Sequence, residues 1–261
     1  MCENKVCEKK IKVLSAPSEN QPFAVIYKPS GLPSAPLKPS ENSASVQCEE
    51  LFPEIKNVCG KKEIEHGLLH RIDTDTQGIL LLASTQKAYD FLCREQSEMN
   101  FIKTYKAKCV YCEDKSFLKE EGFPPLTLSE KLKIESFVSE PESKTLSLTL
   151  NSFFRPFGIK NKAVRPVTDE SSAAALKKSG KIIYTTEILL TKGEKNSHFT
   201  AECRIAKGYR HQVRCHLSWA GFPIKGDSLY NFTDNEEEFY FVASGIKFRN
   251  PADGKWIEFS I

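Results

Sequence analysis

Short segments of alternating hydrophobic and polar residues, separated by turn-forming residues, run through most of the chain. Residues 181–192 (KIIYTTEILLTK) and 197–206 (SHFTAECRIA) predict a hairpin around the turn 193–196 (GEKN). A second hairpin is predicted at the C-terminal end, around the turn 251–254 (PADG). Single strands are expected at residues 23–28, 101–112 and 143–150.

Helical spacing of apolar residues is confined to a few short segments. These are residues 41–52, 85–99 and 210–221, with Ser84 or Thr85 as the N-cap of the second and Gly221 ending the third. Residues 1–20 predict a polar tail or a lone edge strand, and residues 151–181 a long, basic, partly mobile loop. Many hairpins with a few scattered helices predict an α+β fold with a largely antiparallel sheet.

Composition identifies a globular chain without a membrane segment. The 261 residues are 40% hydrophobic and 27% charged, with mean hydropathy −0.39. No apolar run approaches the roughly 18 residues needed to span a bilayer, and the N-terminal residues are charged where a secretion signal would be apolar. We therefore expect a cytoplasmic protein. The net charge of +3 neither requires nor excludes a polyanionic partner.

The cysteines favour free thiols over a disulfide framework or a zinc site. There are nine, an odd number at irregular spacing, in a chain too long for a disulfide-stabilised small domain. Cys109 and Cys112 form a CxxC inside a predicted strand, and a zinc site would need a second close pair. We predict no metal.

A polar loop at residues 70–78 (HRIDTDTQG) lies between two apolar runs, where flanking structure can hold reactive groups rigidly. Asp73 and Asp75 resemble the DxDxT loop of aspartyl phosphotransferases, although that class needs alternating βα units. His66 and His70 are four residues apart, which suits a shared metal only on a helix. Other interpretations are an aspartate that acts on a sugar or base, or a solvated turn with capping Asp residues.

A second polar segment, residues 207–216 (KGYRHQVRCH), concentrates cations and hydrogen-bonding groups at a predicted helix start. Gly208 allows close backbone approach, Arg and Lys neutralise phosphates, and Gln and His can contact base edges. The segment predicts a nucleic-acid contact, with an exposed basic helix face as the alternative.

Together these residues resemble the RluA-type (ribosomal large-subunit) RNA pseudouridine synthases. Five motifs of that family occur in order, and the resemblance covers approximately residues 21–261. They are residues 27–33 (YKPSGLP), 70–78 (HRIDTDTQG), 103–107 (KTYKA), 208–216 (GYRHQVRCH) and 221–230 (GFPIKGDSLY).

Two positions depart from the family pattern. Gln77 replaces the usual Ser, which we expect to adjust loop packing rather than chemistry. Tyr209 stands where the family usually has Arg, with Arg210 one position later, so the phosphate or base contact made there is in question. The family's optional S4 RNA-binding domain is not expected in the short extension of residues 1–20.

The resemblance implies a mixed, mostly antiparallel, bent sheet in two halves with a central active-site cleft. It assigns Asp73 as the essential aspartate, Arg214 as its salt-bridge partner and Tyr105 as the aromatic residue beside the base. It further implies that Arg71 enters the space left by a flipped base and that Val213 packs beneath the target ring. Five residues are expected to contact substrate or order the site: Arg71, Arg210, His211, Gln212 and Val213.

The implied function is isomerisation of specific uridines to pseudouridine in ribosomal or transfer RNA by a monomer. That reaction needs no metal, nucleotide or other cofactor. The variable insertion, residues 113–181, is a candidate RNA contact through Arg155, Lys160, Lys162 and Arg165, with a mobile surface loop as the alternative. A non-catalytic RNA-folding chaperone derived from such an enzyme is the second hypothesis.

Overall fold

The computed structural model describes residues 9–38, 41–112, 118, 121–193, 198–232 and 238–261. Within these residues the strands are β1 Lys12–Ser15, β2 Phe23–Lys28, β3 Gln77–Ala83, β4 Ile102–Val110, β5 Thr145–Phe157, β6 Ala163–Val167, β7 Tyr184–Lys192, β8 His198–Ile205, β9 Phe241–Arg249 and β10 Trp256–Ser260. The α-helices are α1 Ala44–Leu51, α2 Gln86–Ser97, α3 Leu128–Ser139, α4 Ala173–Lys178 and α5 Gln212–Trp219. Three short 3₁₀ helices are Pro53–Asn57, Glu63–Glu65 and Ile159–Asn161.

The chain divides into two compact units, and the first comprises Met1–Ile102 and Val242–Ile261. In it β2 pairs antiparallel with both β1 and β3, β3 begins parallel to β9, and β10 pairs antiparallel with β9. Because β2 and β3 are apolar on both faces, they are buried almost throughout. Helix α2 packs Leu92 against this core, where Phe101 and Phe248 stack with ring centroids 5.3 Å apart.

The second unit, Lys103–Phe241, is built on an antiparallel series of strands in the order β4, β8, β7, β5, β6. Burial alternates along β5 and β7, so one face of these strands is covered and the other is exposed. Helix α5 packs on β6 and β7, and all eight of its residues are buried. This helix carries the second polar segment of the sequence.

Most of the predicted elements are confirmed. The strands at 23–28 and 101–112 and both hairpins are present, and residues 12–15 form an edge strand. Helix α2 begins after Thr85, whose Oγ1 accepts a hydrogen bond from the Ala88 amide at 3.2 Å. Helix α5 is followed by Gly221 at φ +84°. Residues 194–197, which hold most of the predicted 193–196 turn, lie outside the described residues.

The predicted loop over residues 151–181 is wrong. Strand β5 continues to Phe157, β6 pairs with it, and α4 follows. Pro156 and a pair of adjacent phenylalanines disguise the alternation, because Phe154 is buried whereas Phe153 is only partly covered. Helix α3 was not predicted either, although Thr127 and Glu130 form a capping box at its start. Within the described part of the chain, no helix has the length and apolar character required to cross a membrane.

Candidate active site

The polar loop at residues 70–76 in the first unit is tied to the turn that follows β2. The fully buried Lys28 ammonium donates a hydrogen bond to the carbonyl oxygen of Thr74 at 2.9 Å. It also donates to the carbonyl oxygens of Leu32 at 2.6 Å and Pro29 at 3.0 Å. The Gly31 amide donates to the Thr74 carbonyl at 2.7 Å. The three donors of one ammonium thus connect the first and second motifs.

Two serines of the same turn hold the loop from either side of Asp73. Ser34 Oγ donates to the Ile72 carbonyl at 2.7 Å and accepts from the Ile72 amide at 3.1 Å. Ser30 Oγ donates to the Asp75 carbonyl at 2.7 Å. Ser30 of the 27–33 motif and Ser34 directly after it therefore fix the backbone that carries Asp73, a function that the sequence did not reveal.

Burial sets the electrostatics of Lys28. It lowers the pKa of the ammonium from 10.5 to about 8, and the negative charges of Asp73 and Asp75 oppose this decrease. Asp73 itself is half-buried.

Arg71 and His70 occupy opposite environments beside Asp73. The Arg71 side chain is exposed, and its Nη1 lies 3.4 Å from Glu65 Oε1. His70 is buried, with its ring centroid 5.6 Å from that of Phe101. His66 has its Nδ1 3.0 Å from the Lys56 carbonyl oxygen. The described residues contain no group of three or more His, Cys, Asp or Glu side chains that could hold a metal.

The second unit contains Tyr105 and Arg214, the other two predicted catalytic residues. Tyr105 lies on β4, is buried, and stacks on Phe241 with a centroid separation of 5.2 Å. Arg214 lies on α5 and is also buried. Its guanidinium forms a bidentate pair with Asp227, with Nε–Oδ2 at 2.8 Å and Nη2–Oδ1 at 2.7 Å.

Asp227 was not singled out by the sequence analysis, although it belongs to the fifth motif. Its carboxylate is buried and Oδ1 also accepts hydrogen bonds from the amides of Leu229 at 3.0 Å and Tyr230 at 3.2 Å. The Arg214 guanidinium carbon lies 5.3 Å from the Tyr230 ring centroid. The available signal was the Gly226-Asp227 pair of the fifth motif, the next motif after the basic segment that contains Arg214.

Gln212 and His216 anchor α5 to β7 and β5. Gln212 is buried, and its Nε2 donates to Thr186 Oγ1 and the Thr185 carbonyl, both at 2.9 Å. His216 Nδ1 lies 2.8 Å from the same Thr186 oxygen, and Nε2 lies 2.9 Å from Ser152 Oγ. Burial lowers the pKa of His216 to about 3, so the ring is neutral at physiological pH. Gln212 therefore fixes the first turn of α5 against β7.

The remaining predicted substrate contacts have distinct environments. His211 adopts φ +56°, and its Nδ1 lies 3.1 Å from the Tyr230 hydroxyl. Val213 is buried. Arg210 is exposed, and Nη2 donates to the carbonyls of Asn161 and, at 3.1 Å, Ala163.

The two departures from the motifs have structural explanations. Tyr209 stacks on Phe154 with centroids 4.9 Å apart and planes 7° from parallel. Gln77 Oε1 accepts a hydrogen bond from the Tyr27 hydroxyl at 2.6 Å, which supports the expected packing role.

Arg165 is misassigned by the sequence analysis as an exposed phosphate contact. It is fully buried, and its Nη2 pairs with Glu121 Oε2 at 2.9 Å. The guanidinium carbon lies 4.1 Å from the Phe157 ring centroid and 4.4 Å from that of Phe123. All five residues of β6 are buried, and Arg165 therefore lies in the core of the second unit.

Comparison with known proteins identifies the family. A family model described as RNA pseudouridylate synthase matches residues 22–219. The chain belongs to this family. The RluA-type resemblance inferred from the five motifs is thereby confirmed, and the chain's family is a class of intramolecular isomerases. Membership of this family takes the place of the phosphotransferase and metal interpretations of the 70–78 loop.

Relatives of the chain are pseudouridine synthases with different individual names. An uncharacterized RNA pseudouridine synthase of Aquifex aeolicus is 23% identical over 93% of this chain and 67% of its own length. Ribosomal large subunit pseudouridine synthase D of Zymomonas mobilis is 22% identical over 92% and 66%, respectively. The tRNA pseudouridine(31) synthase of Saccharomyces cerevisiae is 24% identical over 90% and 51%. The chain spans about half to two thirds of the length of such relatives.

Solved structures confirm the fold class. Human RNA Pseudouridylate Synthase Domain Containing 1 matches with a TM-score of 0.62 at 15% identity, covering 97% of this chain and 83% of that one. Human RNA Pseudouridylate Synthase Domain Containing 4 matches with a TM-score of 0.59 at 15% identity, covering 95% and 87%. The chain thus has the α+β fold with a large mixed, mostly antiparallel sheet.

Proposed function

We propose that the chain converts uridine in RNA to pseudouridine, with Asp73 as the essential carboxylate. The observation that carries this proposal is the attachment of the Asp73 loop to the Lys28 turn, in a chain that belongs to the family. Fixed backbone on both sides of Asp73 suits a group that must meet one ribose carbon in one geometry. The charge of Asp73 acts on the buried Lys28 ammonium and opposes the decrease in its pKa, which supports an electrostatic link between the loop and the turn.

The reaction breaks the N1–C1′ bond, rotates the uracil and joins C5 to C1′. C5 loses its proton and N1 gains one, so atoms and charge balance without a redox partner or nucleotide. Asp73 either attacks C1′, attacks C6 of the base, or removes a sugar proton. All three routes need a carboxylate close to the ribose and sheltered from water.

Arg214 and Tyr105 are proposed to complete the catalytic group. The Asp227 carboxylate holds the Arg214 guanidinium by two short hydrogen bonds, which supports a positioned cation at that point of the second unit. The Tyr105 ring, backed by Phe241, offers a flat partner for uracil during detachment and rotation. We propose that Arg214 pairs with Asp73 in the active protein.

Base flipping is proposed to present the uridine. Extrusion from a stem costs a few kcal/mol, and less from a loop. Arg71, exposed beside Asp73, is suited to occupy the vacated space because its planar cation can stack on neighbouring bases. Val213 is proposed to pack beneath the target ring, and His211 to order its surroundings through Tyr230.

Ribosomal and transfer RNA are the proposed substrates, since relatives are named for both kinds of RNA. The test uses both RNAs transcribed with uridine tritiated at C5, incubated with the protein in EDTA. Tritium release reports loss of the C5 hydrogen. We expect release with the unmodified protein and none with Asp73→Asn, which keeps the shape of the side chain and removes its charge.

A non-catalytic RNA-folding chaperone is the second candidate, favoured by the excess of Lys and Arg in residues 151–181. Binding and catalysis separate the two. The enzyme is supported if the Asp73→Asn variant binds RNA as tightly as the unmodified protein but cannot replace that protein in cells. Full cellular replacement by that variant, with no tritium release from either protein, supports the chaperone.

A further inference from the structure

A basic cavity lies in the second unit where β5 turns into β6. It has a volume of about 540 Å³ and is lined by Arg155, Pro156, Phe157, Gly158, Asn161 and Lys178. Gly158 adopts φ +76°, and a Cβ there would meet no atom within 4 Å, so the cavity is open at this point. Neither the 70–78 motif nor the 208–216 motif contributes a residue to its lining.

Arg155 carries a charge that no acid of the described residues neutralises. Arg165 is its direct partner across the β5–β6 ladder, and like charges in that position repel each other. Glu121 forms an ion pair with Arg165, not with Arg155. The Nε of Arg155 is buried and has no hydrogen-bond partner within the part of the chain described. Burial, followed by the charge of Arg165, lowers the pKa of Arg155.

The guanidinium is nevertheless held in place. Its carbon lies 5.0 Å from the Phe157 ring centroid, and Nη2 lies 3.5 Å from the Gly122 carbonyl oxygen. The Gly180 amide donates to the Phe154 carbonyl at 3.0 Å, which ties the segment after α4 to β5 and brings Lys178 to the cavity. A fixed cation with an unsatisfied donor, beside a second cation, is suited to an anion with several oxygens.

Surrounding charge indicates a polymer rather than a single small anion. Residues 151–181 contain seven Lys and Arg against two Asp and Glu, whereas the whole chain has a net charge of only +3. Exposed Lys160 and Lys162 follow the turn from the cavity. A row of cations along one hairpin is typical of a surface that tracks a phosphodiester backbone.

The cavity is also tied to the fourth motif. Arg210 donates to the carbonyls of Asn161 and Ala163, at the turn that forms one wall. Tyr209, where the family usually has Arg, stacks on Phe154, the residue before Arg155.

We propose that the Arg155–Lys178 cavity binds a phosphate of the RNA backbone outside the reacting nucleotide. The identity of the polymer as RNA rests on the proposed function. Arg155 supplies the directed N–H groups, Lys178 a point charge, and Asn161 a side chain at the rim. The site raises affinity for the substrate strand and takes no part in the bond changes.

The test measures binding of a fluorescent 20-nucleotide oligouridylate as a function of salt concentration. Each phosphate neutralised on a single strand contributes about 0.7 to the slope of log K against log salt. We expect Arg155→Gln/Lys178→Gln to lower that slope by about 0.7, the contribution of the one phosphate bound in the cavity. A matched control, Lys131→Gln/Lys133→Gln, removes the same charge from exposed positions of α3 and should change the slope little. The charge-conserving variant Arg155→Lys/Lys178→Arg should retain the slope of the unmodified protein.

Turnover distinguishes this inference from the proposed function. On an RNA that the unmodified protein modifies, the cavity variant should raise KM and leave kcat unchanged. An equal slope for the cavity and control variants overturns the inference, as does an unmodified protein whose RNA binding does not depend on salt. Failure of tritium release by the unmodified protein, with the slope difference intact, overturns only the proposed enzymatic function.

Discussion

At the scale of single residues, the Arg214–Asp227 pair is the feature on which the proposed chemistry most depends. Both side chains are buried, so removing the Asp227 charge takes away the bidentate partner of a buried guanidinium. We expect Asp227→Asn to lower the free energy of unfolding by about 3–5 kcal/mol. Urea denaturation measures this. Asp253→Asn, which loses an exposed pair with Lys255 at 3.6 Å, should change stability by less than about 1 kcal/mol. Equal effects of the two variants would contradict the argument.

His216 makes stability depend on pH in the acid range. Its pKa is about 3 in the folded protein and 6.5 as a model value, so the unfolded chain binds the proton more tightly between these values. The stabilisation is therefore complete above pH 6.5 and is lost as the pH falls towards 3. Between pH 7 and pH 5 the loss should be about 2 kcal/mol. His216→Gln, which does not titrate, should lack this component when urea unfolding is compared at both pH values.

Residue-scale roles were only partly predictable. The motifs singled out Asp73, Arg214 and Gln212 as candidates, because these residues stand at motif positions. The functions of Lys28 and Asp227 depend on partners that are distant in sequence: Lys28 binds a carbonyl 46 residues away. Arg165 shows the opposite error, since a basic residue in a basic segment indicates exposure, whereas its aromatic and Glu121 partners allow it to be buried.

At the scale of elements, the start of β3 requires a close approach to β9. Gly78 adopts φ +128°, and an added Cβ would lie 2.2 Å from the Ala243 carbonyl oxygen. We expect Gly78→Ala to destabilise the protein by about 2–5 kcal/mol, through backbone strain and displacement of β9. Gly254→Ala is the matched control, because Gly254 has φ +72° but no atom within 4 Å of the added Cβ. Its cost should be about 1–2 kcal/mol, from strain alone. Thermal denaturation of the two variants and the unmodified protein measures both losses of stability.

The contact between the β2 turn and the Asp73 loop gives a second pH dependence. Lys28 has a pKa of about 8 when folded and 10.5 as a model value, so its charged form is penalised by burial below pH 8. As the pH rises from 8 to 10.5 this penalty disappears, and stability should increase by up to about 3 kcal/mol. The stability difference between the unmodified protein and Lys28→Met should show the increase. The difference from Lys255→Met, at an exposed position, should stay constant.

Element prediction succeeded where periodicity was clean. The β7 and β8 strands and helix α2 follow their apolar patterns, and Thr85 supplies an ordinary N-cap. It failed over 151–181, where Phe154 and Arg165 are buried although their neighbours suggest a polar loop. Tertiary partners, namely Tyr209 stacking on Phe154 and Glu121 pairing with Arg165, override the local pattern there.

At the scale of the whole molecule, net charge conceals how charge is arranged. The balance of 37 basic and 34 acidic residues suggests no particular partner, yet residues 151–181 are strongly basic. The structure turns this segment into a hairpin and a helix that border one cavity. A sequence average could not indicate this, because the position of each cation depends on strand register and on which arginine is buried.

The cysteines provide a measure of folding for the whole molecule. Five of the nine are buried: Cys48, Cys109, Cys112, Cys203 and Cys215. Burial raises the pKa of Cys48 to about 12 and raises the pKa values of Cys109, Cys203 and Cys215, so the reactive thiolate is scarce as well as inaccessible. Cys59 is exposed and Cys93 partly so, while Cys2 and Cys7 lie outside the described residues.

We therefore expect at most four thiols, nine less the five buried ones, to react rapidly with a thiol reagent in the native protein at pH 8. All nine should react in concentrated guanidinium, because unfolding restores access and ordinary pKa values. Mass spectrometry of the labelled peptides identifies which thiols react. Cys48 reports on the first unit and the other four buried thiols on the second. Rapid native labelling of Cys109 or Cys203 would contradict the packing of β4 against β8, whereas fewer than nine reactive thiols in denaturant would contradict the prediction that they are reduced.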